Sequence, residues 1–141
     1  MPNNICVELF DHADQDISVR ATATVVGKTF ANISADIQSG PDITTTSLPT
    51  TYDGGNFQGA TCAAGAKPVG VWAYDGVSGQ LIPVKAGKIV PVTVGAAITA
   101  GQEVEVGASG RAIPLASGRP AGKAYTSQST TGQDAYIRVY V

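Results

Sequence analysis

The sequence predicts an all-β fold: a small single-domain β-sandwich or barrel with little helix, preceded by an N-terminal strand or extended arm. Three observations predict it. Short apolar runs alternate with glycine turns from residue 87 onward: Gly87-Lys-Ile-Val-Pro-Val-Thr-Val, then Gln102-Glu-Val-Glu-Val106, then Asp134-Ala-Tyr-Ile-Arg-Val-Tyr-Val141. Residues 17–25 keep strict two-residue periodicity, with Ile17, Val19, Ala21, Ala23 and Val25 on one face and Ser18, Arg20, Thr22 and Thr24 on the other. No 3.6-residue apolar stripe with caps persists for three turns, which limits helix to a turn or two.

With 141 residues the chain has the length of one domain, and residues 16–141 read as a single β-domain. Residues 1–15 stand apart as a strand or arm. There Ile5, Val7 and Leu9 alternate with Cys6, Glu8 and Phe10, and the polar run Asp11-His-Ala-Asp-Gln-Asp16 then cuts the pattern off. After the half-buried strand at 17–25, Gly27 breaks the alternation, and residues 28–34 read as its partner strand. Between residues 39 and 66 the periodicity fades into a Thr-rich stretch punctuated by Pro and Gly. A structureless loop of that length is improbable in a compact domain, so short strands are expected near 57–62 and 43–46.

A faint repeat organises the remainder. Ala64-Gly-Ala-Lys-Pro-Val-Gly70 recurs as Ala116-Ser-Gly-Arg-Pro-Ala-Gly122, each copy leading past a tyrosine to a Gly-Gln pair, Gly79-Gln80 and Gly132-Gln133. Proline lacks a donor and suits a strand's first position, and the glycine allows close approach there. Two such openings imply two similarly placed hairpins, since a solenoid needs three or more copies. The expected core comprises the Ile17 face, Val71, residues 89–94, Val104, Val106 and residues 137–141.

Composition excludes several functions. Charged residues make up 14% of the chain and the net charge is −2, so clustered cations for a nucleic-acid backbone are not expected. No window approaches the roughly 20 apolar residues that span a bilayer, and no membrane partner is expected. The first residues lack the pattern of a secretory signal, so synthesis in a cytoplasm is the expectation. Cys6 and Cys62 form no Cys-x-x-Cys pair and read as two solitary reduced thiols.

Candidate chemistry is sparse. His12, the only histidine, sits among Asp11, Asp14 and Asp16, yet the stretch lacks the central glycine and terminal glutamate of a calcium loop and reads as a solvated turn. No Gly-x-Ser-x-Gly elbow is present, and Ser109 and Ser117 occupy glycine turns. Glu103 and Glu105, two apart on one strand, are expected to share a solvent-facing side. Lys85 and Lys88 flank a turn without the neighbours of a prosthetic-group lysine and are read as solvated. Trp72 and Tyr74 share a face and could form a sugar-stacking platform, although an aromatic cluster in the core or at a subunit contact is the expected role. The expectation is therefore no enzyme, no catalytic residues, no cofactor and no metal.

From residue 64 onward the chain resembles the capsid decoration, cement or head fiber proteins of tailed bacteriophages. The likeness is carried by Lys67-Pro-Val-Gly-Val71, Val90-Pro-Val-Thr-Val-Gly-Ala-Ala-Ile-Thr-Ala-Gly-Gln-Glu-Val-Glu-Val106, Gly110-Arg-Ala-Ile-Pro114, Ser117-Gly-Arg-Pro-Ala-Gly-Lys-Ala124 and the closing strand. The resemblance implies a structural protein on the capsid exterior of a virion. It would bind the expanded shell as a homotrimer and tie neighbouring copies of the major capsid protein together. The isolated alternation near the N-terminus makes Ile5, Val7, Leu9 and Phe10 the expected capsid or protomer contact, added as a strand through main-chain hydrogen bonds. Trp72, Tyr74 and the Thr-rich rim motivate an alternative, a carbohydrate-binding or adhesive module. Another structural virion protein, such as a tail component, shares the same β-pattern.

Overall fold

The alternating runs and glycine turns condense into an all-β molecule, here a computed structural model that describes residues 16–36 and 57–141. Its strands are β1 (Ile17–Ala21), β2 (Phe30–Ala35), β3 (Phe57–Thr61), β4 (Gly70–Trp72), β5 (Leu81–Lys85), β6 (Ile89–Thr93), β7 (Glu103–Val106), β8 (Ala112–Pro114), β9 (Gly122–Ala124) and β10 (Asp134–Val139). One short 3-10 turn, Ala108–Gly110, is the only helical element among the described residues. The first five strands close a barrel in the order β1-β3-β2-β4-β5, and the last five form a sheet in the order β6-β10-β9-β7-β8.

These orders are the same topology written twice. Ile17 opposite Val84 and Val19 opposite Ile82 in β1 and β5 recur as Val90 opposite Ile137 and Val92 opposite Ala135 in β6 and β10. Ala31 opposite Gly70 recurs as Val104 opposite Gly122, and Trp72 opposite Val84 as Ala124 opposite Ile137. The turns repeat too. Gly79 N–H donates to Ala21 C=O at 2.7 Å and Gly132 N–H to Val94 C=O at 2.9 Å, with φ of 94° and 88°, values that only glycine adopts cheaply. The hairpins anticipated from the Lys67 and Arg119 repeats are β4–β5 and β9–β10.

Closure differs between the units. β3 lies parallel to β1 over three registered pairs, whereas β8 reaches the end of β6 only through the single bridge Val94–Ala112. Inside the barrel, Val19, Ala21, Val25, Ala31, Trp72, Ile82 and Val84 form one buried cluster. Their counterparts Val92, Val94, Ile98, Val104, Ala124, Ala135 and Ile137 belong to the other. Alanines at 21 and 31 make room for Trp72, while Ala124 and Ala135 sit among bulkier valines and isoleucines, so volume is exchanged between positions. Phe30, Cys62 and Val71 come from the first unit but pack in the second unit's cluster.

Several sequence expectations need correction. The strand expected at 17–25 stops at Ala21, and Val25 forms only an isolated bridge to Gly76. The strand at 28–34 appears as β2, yet it pairs with β3 and β4, because β1 already holds β3 on one side and β5 on the other. Within the expected core, Ile89 and Val141 are exposed, while Val90, Val92, Val94, Ile137 and Val139 are buried. The strand expected at 43–46 lies outside the described residues.

Candidate functional site

The register aligns a row of side chains across the outer face of the second sheet. Glu103 on β7 opposes Lys123 on β9, Lys123 opposes Arg138 on β10, and Arg138 opposes Ile89 on β6. All four are exposed. Two members of this row, Glu103 and Arg138, line a groove of about 600 Å³ together with Val139, Tyr140, Val141, Lys67 and Arg119. Lys67 and Arg119 are the basic residues of the two sequence repeats. The duplicated fold thus carries both basic-proline openings to one groove, a convergence the linear sequence did not reveal.

The groove is electropositive and partly apolar. Glu103 in its lining accepts a hydrogen bond from the Tyr140 hydroxyl at 3.1 Å, and Val141, which carries the terminal carboxylate, lines it too. Burial and that carboxylate raise the Tyr140 phenol above its ordinary pKa, so it stays protonated and donating. Lys67, Arg119 and Arg138 make no ion pair with a described residue; the ion pairs among described residues are Lys28–Asp134, Lys85–Asp16 and Lys88–Asp16. A second cleft, lined by Lys28, Tyr74, Asp75 and Asp134, is internally satisfied. Its Lys28–Asp134 pair closes at 2.7 Å, and Gly27 N–H donates to Asp75.

The residues singled out in the sequence fall elsewhere. Ile5, Val7, Leu9 and Phe10 lie outside the described residues, as does His12. Trp72 is wholly buried inside the barrel while Tyr74 is half-exposed, because β4 ends at Trp72 and the two-residue alternation does not continue to Tyr74. They form no platform. Glu105, expected beside Glu103 in solvent, is buried; its Oε2 accepts from Ala116 N–H at 2.9 Å and Gly118 N–H at 2.7 Å, so it pins a turn. Lys85 and Lys88, expected to be solvated, clamp Asp16 at 2.7 and 2.8 Å. Cys62 is buried, which raises its thiol to about 11, far from a thiolate at neutral pH. Among the described residues no three His, Cys, Asp or Glu side chains cluster as metal ligands.

The fold defines a class: a five-stranded β-unit built twice, with a cation-lined groove on the second sheet. No protein-family model and no curated protein sequence matches the chain. In fold it is similar to a solved structure, the N base of head fiber gp8.5 of bacteriophage phi29, with a TM-score of 0.63 and 19% identity. That likeness covers 89% of this chain and 92% of the other.

Proposed function

We propose that the protein is a non-enzymatic structural component of a bacteriophage virion. It binds the exterior of the expanded capsid, contacts the major capsid protein and acts as a homotrimer that ties neighbouring subunits together. The observation that carries this reading is the extent of the fold likeness to the phi29 head fiber base, which runs through both five-stranded units. The turn and strand motifs from residue 64 onward point the same way.

The mechanism is thermodynamic. A protein that binds only the assembled shell stabilises it by mass action, and several modest contacts held in one oligomer act as a single strong one. Ile5, Val7, Leu9 and Phe10 are the proposed contact segment, adding a strand to a capsid subunit or neighbouring protomer. The adhesive-module alternative loses its main motive, since Trp72 packs inside the barrel.

The test is co-sedimentation of purified protein with empty expanded capsids. Binding at about micromolar protein, a free energy near −8 kcal/mol, is expected; its absence would overturn the reading. Deleting residues 2–10 should abolish capsid binding or trimerisation, and a truncated protein that decorates shells normally would remove the segment from the mechanism.

A further inference from the structure

The duplication supplies its own control, since an exposed side chain in one unit can be compared with the residue at the same place in the other. Tyr125 N–H donates to Tyr136 C=O at 2.8 Å where Ala73 N–H donates to Pro83 C=O at 3.0 Å, so the two tyrosines stand at the places of Ala73 and Pro83. The turns compare in the same way. Val25 bridges Gly76 as Ile98 bridges Gln128, and Gln80 N–H donates to Val77 C=O as Gln133 N–H donates to Thr130 C=O. Val26, Tyr74 and Val77 therefore stand where the second unit has Thr99, Thr126 and Thr130. All five large side chains are about half exposed, and the same backbone accepts a smaller or more polar residue at each place. The fold does not require them.

They make two surfaces of different shape and charge. Val26 and Val77 flank a cleft of about 300 Å³ whose lining has one charged side chain, Asp75. Tyr125 and Tyr136 are cross-strand neighbours on the outer face of the second sheet, and beside them, two residues away on the same strands, stand Lys123 and Arg138. Asp134, on the other side of Tyr136, is neutralised by Lys28 at 2.7 Å. Glu103 and the Val141 carboxylate lie beyond the two cations, Glu103 opposite Lys123 on β7 and Val141 past the end of β10. The surfaces adjoin, because Tyr74 and Asp75 line one cleft with Asp134, the neighbour of Tyr136 on the outer face of β10.

We propose that copies of this chain associate head to tail, with the Tyr125–Tyr136 face of one copy seated on the Val26–Val77 cleft of the next, and close into a ring of three. The inference rests on the homotrimer reading for the number of copies and names the contact. Seating tyrosines in a valine-lined cleft removes both apolar surfaces from water, and Asp75 then meets Lys123 and Arg138 of the next copy. Pairing each surface with its own kind would leave the cleft unfilled and set Lys123 and Arg138 against their own copies. A contact between unlike surfaces of identical chains repeats until it closes. Since the two surfaces adjoin, they meet near the ring axis, which suits a small closed ring over an open filament.

Sedimentation velocity of the full chain tests it, with variants that borrow from the other unit so that the backbone already tolerates them. V26T/Y74T/V77T takes the threonines of the second unit, and Y125A/Y136A removes the tyrosines. The natural protein should sediment as three chains, and each variant, its association weakened about thirtyfold or more, as one. Native mass spectrometry of the two variants mixed should show pairs with one chain of each kind, because each keeps the surface the other has lost; either variant alone should show none. A variant that stays trimeric would overturn this contact and leave the homotrimer reading standing. A natural protein that is a monomer or a pair would overturn both, and a mixture without mixed pairs would overturn the head-to-tail arrangement. Should a multiple variant fail to fold, Val77→Thr and Tyr136→Ala singly make the same comparison, and trimers undiminished in both would overturn the proposal.

Discussion

In the first unit, the row formed by Phe30, Val71 and Lys85 is largely apolar, and Phe30 and Val71 are buried in the core it shares with the second unit. In the second unit the equivalent row is Glu103, Lys123 and Arg138, charged and exposed. Strand order, register and turns are alike, so backbone topology alone does not decide which face is core. The side chains decide it. The first unit hands one face to its neighbour, and the second leaves the equivalent face charged and exposed.

The interiors offer the sharpest way to break this correspondence. Trp72→Ala should open a cavity in the barrel and cost about 3–5 kcal/mol in chemical denaturation. Trp72→Phe should cost less, because the Trp72 indole N–H has no acceptor among the described residues. A Trp72→Ala loss below about 1 kcal/mol would mean that the interior of the first unit collapses freely.

A smaller effect tests the equivalence directly. A Cβ at Gly70 would lie 2.6 Å from Lys85 C=O and from a Val84 methyl, and one at Gly122 would lie 2.5 Å from Arg138 C=O and 2.8 Å from an Ile137 methyl. Gly70→Ala and Gly122→Ala should therefore each cost about 1–3 kcal/mol by over-packing, and by similar amounts. A large loss at one site with none at the other would break the structural parallel.

Glu105 marks where the units part. Glu105→Ala strands the N–H groups of Ala116 and Gly118 and should cost about 1–2 kcal/mol, with Glu105→Gln intermediate. At the equivalent position in the first unit, the Asn32 side chain accepts, among the described residues, from the adjacent Ile33 N–H alone, and Asn32→Ala should cost no more than a few tenths of that.

The smallest effect is set by pH. Burial would raise the Asp16 carboxyl, but hydrogen bonds and charge from Lys85 and Lys88 outweigh it and hold the group below its usual 3.8. A carboxyl with a depressed folded pKa stabilises above its unfolded pKa, and that contribution is lost as pH falls through the folded value. Asp16→Asn should therefore destabilise by less than about 1 kcal/mol at neutral pH. The difference should fade below the ordinary carboxylate range, and one that grows in acid would contradict the assignment.

The β-class, the two hairpins and most of the core were legible because alternation and the glycine-punctuated repeats are local signals. The Gly79-Gln80 and Gly132-Gln133 pairs even marked equivalent turns. Pairing was not legible, because nothing local says that β1 takes β3 and β5 as partners instead of β2. Glu105 looked like Glu103 from spacing alone, and only the turn at Ala116 and Gly118, folded over it from a distant part of the chain, separates them. The groove was half-visible: Lys67 and Arg119 stood out as repeated features, but their meeting with Arg138 is a product of tertiary structure.

The sharing of Phe30, Cys62 and Val71 also has a temporal consequence. Among the described residues, the cluster inside the barrel draws on side chains between Ile17 and Val84, whereas the second unit's cluster takes side chains from the first. A ribosome delivers the self-sufficient half before the dependent one, and domains fold as they emerge. The order of synthesis thus matches the order of dependence, with the finished barrel serving as the surface on which the later strands condense.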